Sequence, residues 1–502
     1  MTSLAIDAGT TTVKVVGYGP DGRELTVSHR PTRVLRPRPG WAEQDMGHVW
    51  EAVASATREV VAALPEPPEL VAVTGQGDGA WLVDDRGRPT GPAVLWNDGR
   101  AADLVSRWEH DGTLEQAFRI CGSRLSTGMP NAVLTWMREH DPDRTRRSRH
   151  LLTCGGWLFL KLTGEAAVDE SEASAPFLDI RQRAWSERLF ELYGLEWARD
   201  LLPRPGRRPP CDRAQCHRDG RDRAARGHPG GAGALRHLRH RHRLRRGQHR
   251  PGLHRARYHT VHRDRHRSRR LRAHRRTGGH HRHPGRPGHY LRAFPTMSGG
   301  DMLHWGARLL GLASVTDLMA LAERGAENTA GVRFLPYVSS AGERAPFFDP
   351  GARGSLSGLS LDSGREDVAR AVVEGVTMAI RDCLAASAAT PELLTLSGGG
   401  ARSAYWTRLI ADVVGLPVAI PADTETGARG AWLTGMVATG REPDFATAAA
   451  QHVRISATCE PDPAKGRAVG DRYAEFLRLR ELHRPIWALG RGGAGLTGGV
   501  GA

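Results

Sequence analysis

A short polar turn near the N-terminus is the first segment whose residue types suit phosphate chemistry. It has the sequence Asp7-Ala-Gly-Thr-Thr-Thr, and apolar stretches precede and follow it. A glycine turn between two strands exposes backbone N–H groups and hydroxyls to an anion, while the Asp7 carboxylate can hold Mg²⁺ through water. The strand-loop-helix phosphate loop is excluded, because no Gly-Lys-Ser/Thr follows. A polar hairpin turn without a ligand is the alternative.

The glycine run Ser397-Gly-Gly-Gly-Ala-Arg-Ser follows a short apolar stretch with the composition of a strand. Three glycines at the end of a strand allow the backbone to approach a planar base or a ribose closely. The segment therefore predicts either a nucleoside site or a flexible loop.

Amide, carboxylate and indole groups are concentrated in Gly75-Gln-Gly-Asp-Gly79 and Leu95-Trp-Asn-Asp-Gly-Arg100. A polyhydroxylated ligand needs this mixture, which provides acceptors for hydroxyls and an aromatic wall. Two turns around a core Trp96 are the alternative. The Gly342-Glu-Arg-Ala-Pro-Phe segment adds paired opposite charges, which suit a buried structural ion pair at least as well as catalysis.

These segments stand at the ends of strands and helices that alternate along the chain. Strands are predicted on both sides of the Asp7 turn, over 71–74 and from 394, and helices over 47–64, over 367–387 and from 405. Such alternation predicts an α/β fold, and a length of 502 residues favours two domains. The chain has no run of eighteen apolar residues and no N-terminal apolar segment, so neither a membrane span nor a signal peptide is expected.

The net charge of +16 comes from one segment. Residues 204–289 contain 27 Arg, 4 Asp and no Lys or Glu, a local charge of +23, so the rest of the chain carries −7. The segment also holds 15 of the 23 His and no Phe, Ile, Met, Trp or Asn. Such a composition cannot bury enough apolar surface to offset its chain entropy, and the segment is not expected to fold as written.

Three interpretations of residues 204–289 compete. A disordered arm that binds nucleic acid is the first, although such arms usually mix Lys with Arg and lie at termini. Metal binding through His280, His281 and His283 is the second, but no acidic or Cys ligands accompany them. The third is a shifted translation frame in a GC-rich gene. In the shifted frame, true Ala, Gly, Val and Asp codons appear as Arg, and true Thr and Ile codons appear as His.

The shifted frame can be checked against the written residues. From His254 to Arg265, codons read one base later permit Val-Leu-Gly-Thr-Thr-Leu-Cys-Thr-Glu-Ile, and the two central positions can only be Thr or Ile. The codon that spans Arg236 and His237 has the form GNC, which includes Asp. A frameshift is therefore the preferred interpretation.

Taken together and in this order, the segments resemble the FGGY carbohydrate kinases, and among them the xylulose and erythritol kinase branch. Each segment alone is weak evidence for the family, whereas the full set in this order is specific to it. The resemblance covers roughly 1–203 and 290–480. It is carried by the Asp7 turn, Gly40-Trp-Ala-Glu-Gln-Asp45, the two polar–aromatic segments, Gly342-Glu-Arg-Ala-Pro346, Gly354-Ser-Leu-Ser-Gly-Leu359, the stretch from Asp367 to Glu374, and Ser397-Gly-Gly-Gly400 through Asp412.

The resemblance implies two actin-like domains of the ribonuclease H kind, which close on ATP and sugar across a cleft. By motif match, Asp7 would be the catalytic, Mg²⁺-associated carboxylate, and Thr10 and Thr11 would contact the phosphates. The adenosine would lie against Gly399, Gly400 and Ala401, and the sugar site would be lined by Gln76, Gly77, Asp78, Trp96 and Asp98.

The chain departs from the family pattern at three places. The Lys of the first family signature is Val133, and Asp78 stands where many xylulose kinases carry His, which leaves the substrate open. The general-base Asp of the family and its second phosphate loop, of the Gly-Thr-Thr type, should both fall within 204–289. The given sequence has neither of them there. The shifted frame allows both in the required order, at Arg236/His237 and near Arg257 to Thr260.

The expected organisation is an N-terminal domain over 1–203, the anomalous segment 204–289, a C-terminal domain over 290–485 and a disordered Gly-rich tail over 486–502. The expected reaction is ATP- and Mg²⁺-dependent phosphorylation of a primary hydroxyl of a ketopentose or small polyol, impaired in the chain as written. We expect a small-molecule substrate and no nucleic-acid or membrane partner. A homodimer is the candidate assembly. Six scattered cysteines suit a cytoplasmic location. A non-catalytic kinase-like protein with a basic nucleic-acid-binding arm is the alternative.

Overall fold

The computed structural model describes residues 2–204, 252–255, 280–282, 291–297, 299–339, 342–387 and 391–492. These residues form an α/β structure that divides into two compact units. The first unit draws on Met1–Trp96, Gly128–His259 and Glu425–Arg454, and the second on Asn97–Thr127, Thr260–Thr424 and Ile455–Ala502. The expected general-base codon at Arg236/His237 and the expected Gly-Thr-Thr loop near Arg257 to Thr260 lie outside the described residues.

The strands and helices are numbered in chain order. The strands are β1 (Ser3–Ala8), β2 (Thr12–Tyr18), β3 (Glu24–Pro31), β4 (Glu43–Gln44), β5 (Leu70–Gly75), β6 (Trp81–Val83), β7 (Ala93–Val94), β8 (His150–Leu152), β9 (Leu178–Asp179), β10 (Ala184–Trp185), β11 (Gly252–Arg255), β12 (His280–Arg282), β13 (Leu291–Ala293), β14 (Arg333–Leu335), β15 (Ser355–Ser357), β16 (Leu394–Thr395), β17 (Val418–Pro421) and β18 (Ile455–Cys459). The helices are α1 (Met46–Ala63), α2 (Ala102–His110), α3 (Thr113–Cys121), α4 (Pro130–His140), α5 (Pro142–Arg147), α6 (Cys154–Thr163), α7 (Glu170–Ala173), α8 (Glu187–Tyr193), α9 (Gly300–Leu309), α10 (Val315–Arg324), α11 (Arg365–Ser387), α12 (Ala404–Val414), α13 (Thr426–Ala438), α14 (Phe445–His452) and α15 (Gly466–Gly492).

The predicted elements around the candidate motifs are confirmed to within two residues at each boundary. The Asp7 turn lies between β1 and β2, and β5 contains the predicted strand 71–74. The predicted helix 47–64 is α1, which begins after Asp45 because the Asp45 side chain accepts a hydrogen bond from the His48 amide, 2.9 Å away. Helices α11 and α12 correspond to those predicted over 367–387 and from 405.

The main sheet of the first unit has the strand order β11-β5-β1-β2-β3. Strand β1 pairs parallel with β5 and antiparallel with β2, and β5 pairs parallel with β11. Alternate residues of β1 point to opposite faces, so Leu4 and Ile6 pack under α1 and α6, whereas Ala5 packs under α13. Asp7 shares the face of Ala5. The sheet therefore directs Asp7 towards the side on which α13 packs.

Residues 425–454 lie between two segments of the second unit in the chain but belong to the first unit. Helix α13 supplies Ala428, Ala431 and Trp432 to the core that also contains Ala5 and Val16. The Trp432 indole donates a hydrogen bond to the Ser3 hydroxyl over 2.6 Å. Burial of this face explains why a stretch within the expected C-terminal domain joins the N-terminal sheet.

The second unit is built around α11, which contributes buried residues along most of its length. Arg472 of α15 pairs with the buried Glu374 of α11 at 2.8 Å, and Arg480 pairs with Asp382. The expected disordered tail from residue 486 needs correction, because α15 continues to Gly492. Trp487 is only 3% exposed and stacks on Phe347, and this burial holds the end of the helix. No helix among the described residues is long and apolar enough to cross a bilayer.

Two short strands lie within the Arg/His-rich segment 204–289. Strand β11 is parallel to β5, and β12 pairs antiparallel with β13. The His281 amide donates to the Gly122 carbonyl over 3.0 Å, and the Ser123 hydroxyl donates to the His281 carbonyl over 3.3 Å. Apart from these strands and Arg204, the segment lies outside the described residues, and so does His283.

Candidate active site

Asp7 stands at the end of β1 and faces the first turn of α13. On the sheet it lies opposite Lys14 of β2 and Thr74 of β5. A Cβ atom at Gly427, the second residue of α13, would lie 2.2 Å from Asp7 Oδ2. The Asp7 carboxylate therefore occupies the space that a side chain at position 427 would fill. Because backbone N–H groups at a helix N-terminus carry partial positive charge, this placement suits an ionised carboxylate.

Glu425 connects the start of α13 to the neighbouring strands. Its side chain is 3% exposed, and Oε2 lies 2.7 Å from Lys14 Nζ. His29 Nε2 lies 3.1 Å from the other carboxylate oxygen, Oε1. Lys14 and His29 are paired neighbours on β2 and β3. The carboxylate thus anchors the helix start to two strands beside Asp7.

Thr10 is the centre of a hydrogen-bond network that joins the predicted phosphate turn to the predicted sugar segments. Its hydroxyl donates to Gln76 Oε1 over 2.9 Å and accepts from Trp96 Nε1 over 3.1 Å. Its carbonyl accepts from Gln44 Nε2 over 2.7 Å, and Gln76 Nε2 donates to Gln44 Oε1 over 2.6 Å. Tertiary structure therefore brings together three of the predicted site residues, Thr10, Gln76 and Trp96. The neighbouring Thr11 is exposed.

The turn after β5 holds Asp78 in an uncommon backbone conformation. Asp78 has φ 51°, the left-handed region, and is 9% exposed, while Gly77 before it is buried. The Gly79 amide donates to the Gly128 carbonyl over 3.0 Å, and a Cβ at Gly79 would lie 2.4 Å from the Val94 carbonyl oxygen. A non-glycine residue in this region costs of the order of 1–3 kcal/mol and concentrates at functional sites.

Trp96 is held by close packing of its backbone as well as by its indole. A Cβ at Gly128 would lie 2.1 Å from the Trp96 carbonyl oxygen, so only glycine fits there. The Leu95 amide just before it donates to the Ala42 carbonyl over 2.9 Å. These contacts set the position from which the indole reaches Thr10.

Asp98 belongs to the second compact unit and forms a buried ion pair with Arg100. Arg100 Nε lies 2.8 Å from Oδ1 and Nη2 lies 3.0 Å from Oδ2, with side chains 3% and 0% exposed. The Asp98 carbonyl also accepts from the Thr127 hydroxyl over 2.7 Å. This bidentate pairing gives Asp98 a structural role within its own unit.

The predicted adenosine loop follows β16 and forms a 3₁₀ turn over Gly399–Arg402. Gly398 has φ 88°, and the Ala401 amide donates to its carbonyl over 3.1 Å. A Cβ at Gly400 would lie 2.2 Å from the indole of Trp406, whereas a Cβ at Gly399 would have open space. Gly400 is therefore needed for packing, and Gly399 is the residue with room for a ligand.

Glu343 organises the backbone of the Gly342-Glu-Arg-Ala-Pro segment. Its side chain is 1% exposed, and Oε1 accepts from the amides of Met297, Arg344 and Ala345 over 2.7, 3.0 and 3.4 Å. A carboxylate with three backbone donors is a loop-stabilising group. The geometry favours the structural interpretation of this motif.

Sequence reasoning did not identify four residues of the Asp7 and Thr10 surroundings: Gln44, Lys14, Glu425 and Gly427. Gln44 lies in the matched segment Gly40 to Asp45, but nothing in its spacing indicated that it would reach Thr10. Glu425 and Gly427 lie in Glu-Thr-Gly-Ala-Arg-Gly-Ala, where an acidic residue before a helix of small residues was an available signal.

Comparison with known proteins shows which protein family this chain belongs to. The N-terminal domain model of the FGGY family of carbohydrate kinases matches residues 2–205, and the C-terminal domain model matches 284–439. The xylulose kinase of Escherichia coli is 30% identical, covering 97% of this chain and 100% of its own. The erythritol kinase of Brucella abortus is 29% identical over 96% of both chains. The chain belongs to the FGGY family of carbohydrate kinases.

A solved structure supports the fold. The gluconate kinase of Lactobacillus acidophilus superposes with a TM-score of 0.80 at 18% identity, covering 96% of this chain and 98% of its own. The predicted class, α/β with two actin-like domains of the ribonuclease H kind, is confirmed. The predicted enzyme class, a carbohydrate kinase that uses ATP and Mg²⁺, is confirmed as well.

The residues around Asp7 fit a hydrated divalent cation with nucleotide phosphates. Asp7 offers hard oxygen ligands, the type that Mg²⁺ prefers. Its carboxylate occupies a cradle at Gly427 that a side chain would fill. Thr11 is exposed in the adjoining turn.

Proposed function

We propose that this kinase transfers the γ-phosphate of ATP to a primary hydroxyl of a ketopentose or small polyol. The observation that carries the proposal is the Thr10 hydroxyl, which belongs to the phosphate turn and is hydrogen-bonded to Gln76 and Trp96 of the sugar segments. Relatives that match nearly the whole chain are a xylulose kinase and an erythritol kinase, and these names support the substrate class.

The residues of the chain would contribute to catalysis mainly by positioning the nucleotide, the metal and the sugar. Mg²⁺-bound ATP supplies the phosphoryl group and neutralises charge that develops on it. Asp7 would hold the hydrated metal, and the Thr11 hydroxyl with the turn amides would orient phosphate oxygens. Gly399 and its neighbours Gly400 and Ala401 would lie along the adenosine. The sugar would be held by Gln76, Gly77, Asp78 and Trp96. Asp98 is the weaker candidate of the predicted set, because both of its carboxylate oxygens are paired with Arg100.

Proton removal from the attacking hydroxyl is the step that the written chain does not provide. Residues 204–289 supply four carboxylates, none of which stands at the position where the shifted frame recovers an Asp, namely Asp212, Asp219, Asp222 and Asp264. Loss of a general base typically costs a factor of about 10²–10⁴ in rate. Loss of phosphate-loop donors adds roughly 10²–10³ per donor. We infer that a frameshift over 204–289 impairs the written protein.

The decisive experiment measures sugar-dependent ADP release with xylulose, ribulose, erythritol and glycerol. The written and frame-repaired chains are compared, after the gene has been resequenced across codons 200–290. We expect activity in the repaired chain, loss of that activity in its Asp7→Asn variant, and a rate at least about 10²-fold lower in the written chain. Equal, substantial activity in both chains would show that catalysis never depended on the overwritten residues.

Two further expectations accompany this proposal. The homodimer stays a prediction, which light scattering of the purified chain tests. The cytoplasmic location stays a prediction as well, which cell fractionation tests.

A further inference from the structure

We propose that Gln44 is a positioning residue of the active site, which fixes Thr10 in the phosphate turn. The inference rests on the proposed function, since it gives the orientation of that turn a role in nucleotide binding. Gln44 is fully buried, and both ends of its amide are hydrogen-bonded. Three hydrogen bonds among Gln44, Gln76 and Thr10 close a ring that starts at the Thr10 carbonyl and returns to the Thr10 hydroxyl, and Trp96 adds a fourth bond to that hydroxyl.

The chemistry of the end groups determines the direction of every bond in this ring. A carbonyl can only accept, so Gln44 must present Nε2 to Thr10 and Oε1 to Gln76. Gln76 must then donate through Nε2 and accept through Oε1, which receives the Thr10 hydroxyl proton. An indole N–H can only donate, so Trp96 occupies a lone pair of the same hydroxyl. Reversing either amide would place like groups against each other.

Because the direction of each hydrogen bond is fixed, the two neighbouring threonines have different roles. The Thr10 hydroxyl proton is committed to Gln76 and is not available to a phosphate oxygen. The hydroxyl of the exposed Thr11 is the donor that remains for a phosphate. Gln44 thus acts through Thr10, by holding the turn that presents Thr11.

Gln44 is suited to this role because its own position is rigid. It lies in β4, paired with Ala93 of β7, and the next residue, Asp45, caps α1. Strand β7 leads directly to Leu95, whose amide is bonded to Ala42, and then to Trp96. The same short strand pair therefore anchors both Gln44, which reaches the Thr10 carbonyl, and Trp96, which reaches the Thr10 hydroxyl.

Hydrogen–deuterium exchange of the full-length chain tests the proposal. In Gln44→Met, which keeps the length but removes donor and acceptor, we expect the Gly9 and Gln76 amides to exchange about tenfold faster. The Gly9 amide is bonded to the Thr12 carbonyl within the turn, and the Gln76 amide is bonded to the Ala8 carbonyl at the end of β1. The control is Ser3→Ala, which removes a buried side-chain hydrogen bond to Trp432 and should leave both amides unchanged.

A double mutant separates positioning from general stability. Thr10→Val removes the hydroxyl that closes the ring but keeps the carbonyl that Gln44 contacts. If Gln44 acts through the closed ring, Thr10→Val alone should accelerate exchange of both amides, and Gln44→Met added to it should have less than its single effect. Additive effects, or unchanged exchange at Gly9 and Gln76, would overturn the proposal. If Gln44→Met does not fold, Gln44→Asn keeps an amide that is too short to close the ring.

Mg²⁺-bound ADP distinguishes this inference from the proposed function. We expect the nucleotide to protect the Gly9 amide in the wild type and to bind about tenfold more weakly to Gln44→Met, but not to Ser3→Ala. Absence of protection in the wild type, with the exchange effects intact, would count against the nucleotide role of the turn. Protection in the wild type with equal affinity in Gln44→Met would count against Gln44.

Discussion

The indole N–H of Trp96 donates a hydrogen bond to the hydroxyl of Thr10 over 3.1 Å, although 86 residues separate them in the chain. One residue belongs to the predicted sugar site and the other to the predicted phosphate turn. The bond connects the two predicted parts of the site, and its contribution can be tested by removing the donor alone.

Trp96→Phe is expected to lower the free energy of unfolding by about 1 kcal/mol, because one partly buried hydrogen bond is lost while one aromatic ring is kept. In the frame-repaired enzyme, kcat/KM for the sugar should fall about tenfold. Urea unfolding and ADP release measure the two effects. Trp50→Phe is the control, since the described contacts of the Trp50 ring are a T-shaped contact with Trp157 and a cation–π contact with Lys161. Equal effects of both substitutions would contradict the role of the indole N–H.

Gly427→Ala is expected to displace Asp7, because the new Cβ would lie 2.2 Å from Oδ2. We expect at least a tenfold loss of Mg²⁺-dependent activity in the frame-repaired enzyme and a higher Mg²⁺ requirement. Gly435→Ala in the same helix is the matched control. Its Cβ would lie 3.0 Å from the flexible end of Leu70, so the neighbour can move. Normal activity of Gly427→Ala would show that the cradle does not control Asp7.

Glu425→Gln is expected to lower the free energy of unfolding by about 1–3 kcal/mol, because it weakens two contacts of a buried carboxylate. The partners are Lys14 and His29, at 2.7 and 3.1 Å. Glu69→Gln is the control from the same unit, where a partly exposed pair with Arg441 spans 3.4 Å. An exposed pair typically contributes below about 1 kcal/mol. Indistinguishable urea midpoints for the two variants would refute the anchoring role of Glu425.

Acid should destabilise the written chain through His281. Burial lowers the pKa of His281 to about 4, and Arg292 adds to this, while the bond to the Gly122 carbonyl opposes it. The unfolded state therefore binds more protons between pH 6.5 and 4, so the free energy of unfolding should fall as the pH decreases through this window, by at most about 3 kcal/mol.

The variant His281→Thr should lose this pH dependence, and the frame-repaired chain should lose it too, because two consecutive His codons read one base later encode only Thr or Ile. Urea unfolding of the written chain between pH 4 and 7.5 measures the effect. Identical profiles for the written and His281→Thr chains would contradict the assignment to His281.

Local sequence signals were sufficient for the elements of secondary structure near the motifs. Alternating apolar residues determine β1 and β2, helical spacing determines α1 and α11, and glycines determine the turns between them. The ordered motifs also led to the family, which the family models and relatives confirm. The composition of 204–289 was sufficient to separate that segment from the rest of the chain. Each of these signals can be taken from the linear sequence without knowing which distant segments contact each other.

Tertiary structure decided which residues lie together in the candidate site and which partners their side chains contact. No local pattern indicates that Gln44 closes a ring with Thr10, that Gly427 cradles Asp7, or that Asp98 is bound to Arg100 in another compact unit. The end of α15 was mispredicted for the same reason, because Trp487 is buried by Phe347, which lies far away in the sequence. Hydrogen bonds and packing between distant segments form only once the sheet and helices are assembled, so their partners are determined by the fold rather than by sequence spacing.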